Sequence, residues 1–393
     1  MPIHDPDATG DAPAAAAMNL RVLHVGKYLP PHPGGMERFL DDLIRAQAEQ
    51  GLAPAAVFHR MRGGTGSQLQ VPLYPVPVLG ETMFVPLSPG FPAALARAIR
   101  EHRPHLLHLH VPNLSAFSAL ALPAARRLPW VLQWQADVPR DMPHAGVRAL
   151  RRLYGLPERA LLRRSRAVVL STPHYLESSS VLQDFRARCR VIPLGMPDTA
   201  LPPSRRPPDD RHLRVLAVGR LTYYKGFEVL LRALARVPQA ELDLIGGGEG
   251  EAGLRALAVE LGLGERLRLL GRVDDAALAQ AYADCDVFCL PSLDRAESFG
   301  LVLLEAMRAS RAVVASRITG SGVNHVVSEG ETALQVPPGD VEALTAALAR
   351  LAAEPALRER LGAAGRRRFE REFDIRRCAE QLETLYREVL LQG

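Results

Sequence analysis

Two doubly wound α/β domains facing each other across a cleft are the fold this sequence predicts, and three observations predict it. Short apolar runs alternate with amphipathic stretches of helical period, which implies parallel sheets buried on both faces. The alternation breaks once, in a proline-rich stretch at 193–208, and then restarts. The chain of 393 residues, 47% hydrophobic and 23% charged, is long enough for two domains of ordinary size, each with its own core.

Residues 1–17, with two early aspartates and then an alanine-rich run, read as a disordered extension, with Met18 an alternative start. The first domain, 18–197, opens on a strand at 20–25. A helix at 36–50, a strand at 54–58, a helix at 92–101, a strand at 106–110, a helix at 114–126 and strands at 130–134 and 167–171 follow. A linker at 198–210 leads into the second domain, 211–374. Its strands are expected at 213–218, 240–245, 267–270, 287–290, 312–316 and 333–336, with a helix at 228–236 after the first. In such sheets ligands gather beyond the carboxyl ends of the strands, so the loops there are where chemistry is sought.

Glu297 and Glu305 flank the most informative of these loops, Glu297-Ser-Phe-Gly-Leu-Val-Leu-Leu-Glu305. Ser298 is placed to cap the helix that follows, and Gly300 lets a ligand approach the backbone. The amides of Phe299, Gly300 and Leu301 are then free donors at a positive dipole end, a seat for phosphate. Glu305 falls about one turn further on, roughly 5–8 Å along the axis, within reach of a ribose attached to that phosphate. Glu297 points to whatever hangs from the other end. A nucleoside diphosphate sugar has this layout. Two glutamates around an apolar helix start are common, so the companions decide.

One companion is Gly219-Arg220-Leu-Thr-Tyr-Tyr-Lys225-Gly226, a glycine turn with two cations five residues apart, able to clamp a diphosphate leaving group from the side the amides do not cover. Among 48 basic residues only Lys27 and Lys225 are lysine, which singles out a compact ammonium at two loop positions. Taken with Leu244-Ile-Gly-Gly-Gly248, Leu270-Gly-Arg-Val273 and Asp286-Val-Phe-Cys-Leu-Pro-Ser292, the set resembles the retaining glycosyltransferases of family 4. The resemblance covers almost the whole chain after residue 18. It implies the GT-B arrangement of two Rossmann-like domains, with the last helix, about 375–393, crossing back onto the first. It further implies that Arg220 and Lys225 stabilise the leaving diphosphate, that Glu297 orients donor hydroxyls and Glu305 the ribose, and that the main chain near Val273 meets the base.

The first domain contributes His24-Val-Gly-Lys27-Tyr-Leu-Pro-Pro-His-Pro-Gly34-Gly35-Met-Glu37, in which Gly34 and Gly35 put bare amides at a helix start. Family 4 enzymes use such a loop on the diphosphate; a plain tight turn is the alternative. His108-Leu-His110-Val-Pro-Asn113 ends a strand with both histidines on one face, suited to a metal pair, to lining the acceptor site or to packing. With no third ligand at suitable spacing and no Asp-x-Asp, no metal is expected. The similarity to the family's His-x-His-x-Pro-Asn segment favours the acceptor side, with Asp137. By contrast Gly246-Gly-Gly-Glu-Gly-Glu251 lacks the third glycine of a dinucleotide fingerprint, which disfavours a nicotinamide enzyme.

The chain departs from the family's pattern twice. Gln135 stands where a histidine contacts the donor sugar, and glutamine cannot shuttle a proton, although it can hydrogen-bond a hydroxyl. That matters little for a retaining transfer in which the departing phosphate oxygen takes the acceptor's proton. His325, in Gly320-Ser-Gly-Val-Asn-His325, stands where a glutamate is common. This glycine-serine form, together with Arg295-Ala-Glu297, is similar to bacterial members that move mannose or related sugars from GDP donors to surface polysaccharide.

Residues 1–210 carry 24 basic and 17 acidic side chains, net +7, and residues 211–393 carry 24 and 26, net −2. Much of the excess lies in Arg148, Arg151, Arg152, Arg159, Arg163, Arg164 and Arg166, interleaved with leucines. Such a segment suits an anionic inner leaflet, or is an ordinary helix with a solvated arginine face. Nucleic acid is disfavoured, since no aromatics interleave the arginines. The four cysteines read as reduced structural thiols. Without a membrane-length apolar run or a signal pattern, a cytoplasmic enzyme is expected, peripheral on the inner membrane face. The resulting expectation is a metal-independent, cofactor-free retaining transferase acting from a nucleotide sugar on a glycan or lipid-linked acceptor. A GT-B epimerase or phosphorylase and a non-catalytic nucleotide-sugar-binding paralogue are the alternatives.

Overall fold

A computed structural model describes residues 19–61, 67–82, 85–137, 145–206 and 212–392. The first domain holds β1 (Arg21–Val25), β2 (Ala53–Arg60), β3 (Leu73–Pro77), the hairpin β4 (Gly80–Thr82) and β5 (Val85–Leu87), β6 (Leu106–Val111), β7 (Trp130–Trp134), β8 (Ala167–Leu170) and β9 (Cys189–Val191). All but the hairpin form one sheet in the order β3-β2-β1-β6-β7-β8-β9, every pair parallel. The second domain holds β10 (Leu213–Val218), β11 (Ala240–Ile245), β12 (Leu267–Gly271), β13 (Val287–Leu290), β14 (Ala312–Ser316) and β15 (Ala333–Val336). They form a parallel sheet ordered β12-β11-β10-β13-β14-β15.

The strand order reverses between β1 and β6 in one sheet and between β10 and β13 in the other, and a crevice opens at the carboxyl ends of the strands at such points. The loops leaving these four strands begin at 26, 112, 219 and 291. They carry most of the residues singled out above.

Prolines explain where the sequence reading misses elements. β3 contains Pro75 and Pro77, which argue against an interior strand; it lies at the sheet edge, where a missing N–H is tolerated. The helix expected at 114–126 is three short turns, Leu114–Phe117, Ser118–Ala121 and Pro123–Arg126. Leu122, the residue before proline, is extended at φ −86° and ψ 116°.

The chain crosses between domains twice at one place, where the main chain of Met196 bonds to Phe373 and Ile375. Helix Ile375–Leu391 then lies on the first domain, burying Ile375, Cys378, Ala379, Leu382, Leu385, Tyr386 and Val389 at helical spacing. Gln50 donates to its Arg376 carbonyl at 2.8 Å, and Arg166 to its Val389 carbonyl at 3.0 Å. One apolar cluster runs from Leu20, Val22 and Phe39 through Phe299, Leu303 and Met307 to Phe373 and Leu382, so the floor of the cleft is continuous core. Cys285, Cys289 and Cys378 are buried free thiols, and burial pushes Cys285 up to about 12. Among the described residues no helix is long and apolar enough to cross a membrane.

Candidate active site

Two helices begin on opposite walls of the cleft and point their first turns at each other. Gly35–Glu49 follows the loop after β1, and Leu301–Arg308 follows the loop after β13. Gly300 caps the second helix at φ +81°, a conformation that favours glycine, and a Cβ added at Gly35 would come within 2.9 Å of Leu301 Cδ1. No side chain caps either helix, so the expected cap at Ser298 is corrected: the helix starts two residues later. Ser298 instead receives the Gly322 amide on its carbonyl at 2.8 Å, and Phe299 packs into the core at 3% exposure. The amides of Gly300 and Leu301 have no intrahelical acceptor, being first in the helix.

Lys225 and Glu297 meet behind these starts. Lys225 Nζ lies 2.6 Å from Glu297 Oε2, and Ser292 Oγ donates to the same oxygen at 2.9 Å. Both charged side chains are buried, which holds each in one place, and both of these bonds fall on the same Glu297 oxygen. Ser321 Oγ bonds to the Glu297 carbonyl, so the Gly320-Ser-Gly322 loop braces the same turn. Arg220 lies exposed at the mouth of its loop, and its charge acts on Lys27 and Glu37 across the cleft.

Glu305 is 8% exposed one turn inside its helix. Tyr282 donates to its Oε2 at 2.7 Å, and Arg38 of the facing helix comes within 3.7 Å of Oε1. Burial raises its pKa against the opposing pull of Tyr282 and Arg38. Arg38 also pairs with Asp275, joining the two walls. Neither Arg38 nor Tyr282 was singled out in the sequence. Arg38 directly follows the glycine motif, whereas a lone tyrosine in a helix carries no signal. Val273 follows β12, half-buried against the central core.

Across from Glu297, Asp137 accepts from Trp134 Nε1 at 3.0 Å and Ser179 Oγ at 2.8 Å. Arg295 of the other domain reaches its second oxygen at 3.2 Å. Its carboxylate is thus already engaged from both walls. Gln135 is half-buried beside it, its amide bonded to the Val111 carbonyl. His325 lies at the domain junction, its ring 6.2 Å from that of His174 and its carbonyl held by Arg368. Gly34 is exposed, with the Glu37 carboxylate curled against it.

The structure corrects the reading of His108 and His110 as acceptor-side residues. They are 0% and 3% exposed, in a core of polar groups under the returning helix. It also supplies the third histidine that spacing did not show, His24, paired in register with His108 on the neighbouring strand. Gln47 Nε2 donates to Tyr386 OH at 3.2 Å, and Tyr386 accordingly donates to His108 Nδ1 at 2.7 Å. Gln47 Oε1 accepts from His24 Nε2 at 2.8 Å, and His24 Nδ1 therefore accepts from His110 Nε2 at 3.1 Å. Burial drives His24 down to about 4 and His108 and His110 well below the ordinary value, so all three are neutral. Their ring nitrogens lie within 4.8 Å of one another, the one group among the described residues with the make-up of a metal site. The cluster is walled off from solvent.

Comparisons with known proteins agree with this architecture. Residues 34–195 match the family model described as glycosyl transferase 4-like domain, and residues 203–368 match glycosyl transferases group 1. The chain is 30% identical to a phosphatidyl-myo-inositol mannosyltransferase of Mycobacterium leprae, over 92% of this chain and 95% of that protein. It is 27% identical to O-antigen chain mannosyltransferase C of Escherichia coli, over 94% and 99% respectively. Among solved structures it is similar to a sucrose-phosphate synthase of Thermosynechococcus elongatus, with TM-score 0.76 and 23% identity over 95% of this chain and 100% of that one. The facing domains, the glycine-led helix starts and these matches together show that the chain belongs to the GT-B glycosyltransferases of the family 4 type.

Proposed function

We propose that this glycosyltransferase moves a hexose from a nucleotide-diphosphate sugar, GDP-mannose type ahead of UDP-sugars, to a glycan or lipid-linked acceptor in cell-surface polysaccharide or glycolipid synthesis. The anomeric configuration is retained, and neither metal nor cofactor takes part. The observation that carries the reading is the convergence of the two helix starts on one point, with Lys225 and Glu297 on one side and Glu305 on the other. The names of the mannosyltransferase relatives support the choice of donor.

In this reading the diphosphate lies between the Gly34-Gly35 loop and the amides of Ser298 to Leu301, where two helix dipoles favour negative charge. Glu305 receives the ribose hydroxyls and the main chain near Val273 the base. As the bond from the anomeric carbon to the phosphate oxygen breaks, charge grows on that oxygen. Arg220 and Lys225 stabilise it more strongly than in the ground state, which lowers the barrier. The acceptor hydroxyl attacks from the same face, and its proton passes to the departing oxygen, so no side-chain base is needed and Gln135 serves as a hydrogen-bond partner for the sugar. Glu297, held by Lys225 and Ser292, orients donor hydroxyls. The acceptor enters from the side of Asp137.

The test is turnover of GDP-, UDP- and ADP-sugars, with and without chelator, with product anomers read by NMR. Retention from a GDP-hexose with chelator present is expected. An inverted product, strict metal dependence, or an isomerised sugar formed without acceptor would contradict the proposal, the last in favour of an epimerase.

A further inference from the structure

Five arginines converge at the amino ends of β8 and β9, the opposite end of the sheet from the cleft. Arg163 and Arg164 close the helix Ala145–Arg164, Arg166 precedes β8, and Arg188 and Arg190 lie at β9. With Gln392 they line an open groove of roughly 600 Å³. Main-chain carbonyls hold four of them in place: Leu128 holds Arg164 at 3.1 Å, Val389 holds Arg166 at 3.0 Å, Ser165 holds Arg188 at 2.7 Å, and Cys189 holds Arg190 at 3.0 Å. Such bonds fix the guanidinium planes and leave their charge uncompensated.

The contrast with the rest of the molecule is what gives this meaning. Arg38, Arg97, Arg236, Arg268 and Arg366 all face carboxylates, whereas among the described residues none of the five groove arginines has one within ion-pair distance. Capping of helix ends explains Arg188, which bonds carbonyls of the last turn of Ala145–Arg164, but not the exposed Arg163 and Arg190. Two exposed leucines lie on the elements that supply the groove. Leu391, next to Gln392, is 81% exposed, and Leu156, 71% exposed, sits seven residues before Arg163 on the same helical face. Fixed, uncompensated arginines flanked by exposed leucines make an interfacial surface, and the guanidinium fork matches phosphate oxygens. Of the basic stretch read in the sequence, the side chains of Arg148, Arg151 and Arg152 lie outside the described residues, and Arg159 pairs with Asp184.

We propose that this groove seats the phosphate of an anionic lipid headgroup, with Leu156 and Leu391 entering the interface beside it. Its distance from the cleft separates it from the donor's diphosphate, so the inference does not rest on the proposed transfer chemistry.

Flotation of the full chain with phosphatidylcholine vesicles, with and without phosphatidylglycerol, tests it. The protein is expected on anionic vesicles only, less so as salt rises. R163E/R190E should weaken partitioning at least about tenfold, because each basic residue near such a surface contributes appreciably. That variant keeps its melting temperature and its rate of donor hydrolysis, and L391S shows a smaller loss. Failure of the native chain to bind anionic vesicles, or equal binding by the double variant, would overturn the proposal. Stabilisation by inorganic pyrophosphate without vesicle binding would also overturn it, in favour of a soluble phosphate ligand.

Discussion

The two helix starts that face each other across the cleft differ in what covers them. At Leu301 the first turn carries no acid, and the buried Glu305 waits a full turn deeper, where Tyr282 holds its carboxylate aside. At Gly35 the helix carries Glu37 in its own first turn, 7% exposed, with its carboxylate folded back against Gly34. An acid there already takes up part of the dipole that an incoming phosphate would use. The second-domain site is therefore open to an anion as it stands, and the first-domain site is occupied by the protein's own carboxylate. Burial raises the Glu37 pKa while Lys27 and Arg220 pull it back down, so its charge is poised against the same cations that would meet the donor. Under the proposed function, the difference assigns the holding of the donor to the second domain and the completion of its site to the first.

The largest test of that asymmetry is Lys225→Ala. Loss of a leaving-group cation should cut turnover by about 10²–10³, measured as single-turnover rate, in a variant that still folds but whose melting temperature falls because Glu297 loses its buried partner. Glu305→Ala comes next. It removes charged hydrogen bonds to the ribose and should weaken donor binding by roughly tenfold or more while leaving kcat near normal, as read by calorimetry with the nucleotide. Glu37→Gln sharpens the comparison from the other side: uncovering the first-domain helix start should tighten nucleotide diphosphate binding by about two- to fivefold at low salt. A weakening in that variant would mean that Glu37 organises the loop rather than competing for it.

A smaller expectation concerns the histidine core. The folded state keeps His24 neutral, with its pKa near 4, against an ordinary value of 6.5. Below pH 6.5 the unfolded chain therefore binds more protons, so stability is complete above that pH and declines as pH falls toward 4. His108 and His110 shift in the same direction. Denaturant midpoints between pH 7 and pH 5 should fall. Tyr386→Phe, which leaves His108 Nδ1 without its donor, should cost about 1–3 kcal/mol at either end. An unchanged midpoint across this range would show that the cluster is not held neutral.

Much of the frame was legible because period and length decide strands: 213–218, 240–245, 287–290, 312–316 and 333–336 are observed with those same bounds. Elements with proline inside them were not, since proline weakens the local pattern wherever tertiary packing overrides it, as at β3 and Leu122. In the site, the glycine loops and Glu297 with Glu305 were visible because backbone approach and charge need particular residue types at fixed spacing. Arg38 and Tyr282 were not, and Arg295 was visible only as part of a motif and not in its reach to Asp137, because these contacts act across the domain boundary or from a distant helix and leave no local spacing. The histidines misled for a related reason. Alternation put His108 and His110 on one face, but that face is covered by a helix 278 residues further along the chain.

Where a nucleotide diphosphate binds decides the assignment of the cleft, and a crystal structure with GDP or UDP determines it. The predicted result is a diphosphate accepting from the Gly300 and Leu301 amides and from Lys225, with the ribose hydroxyls on Glu305 in place of Arg38. A nucleotide bound elsewhere, with Glu305 still turned to Tyr282 and Arg38 and the two helix starts untouched, would contradict it.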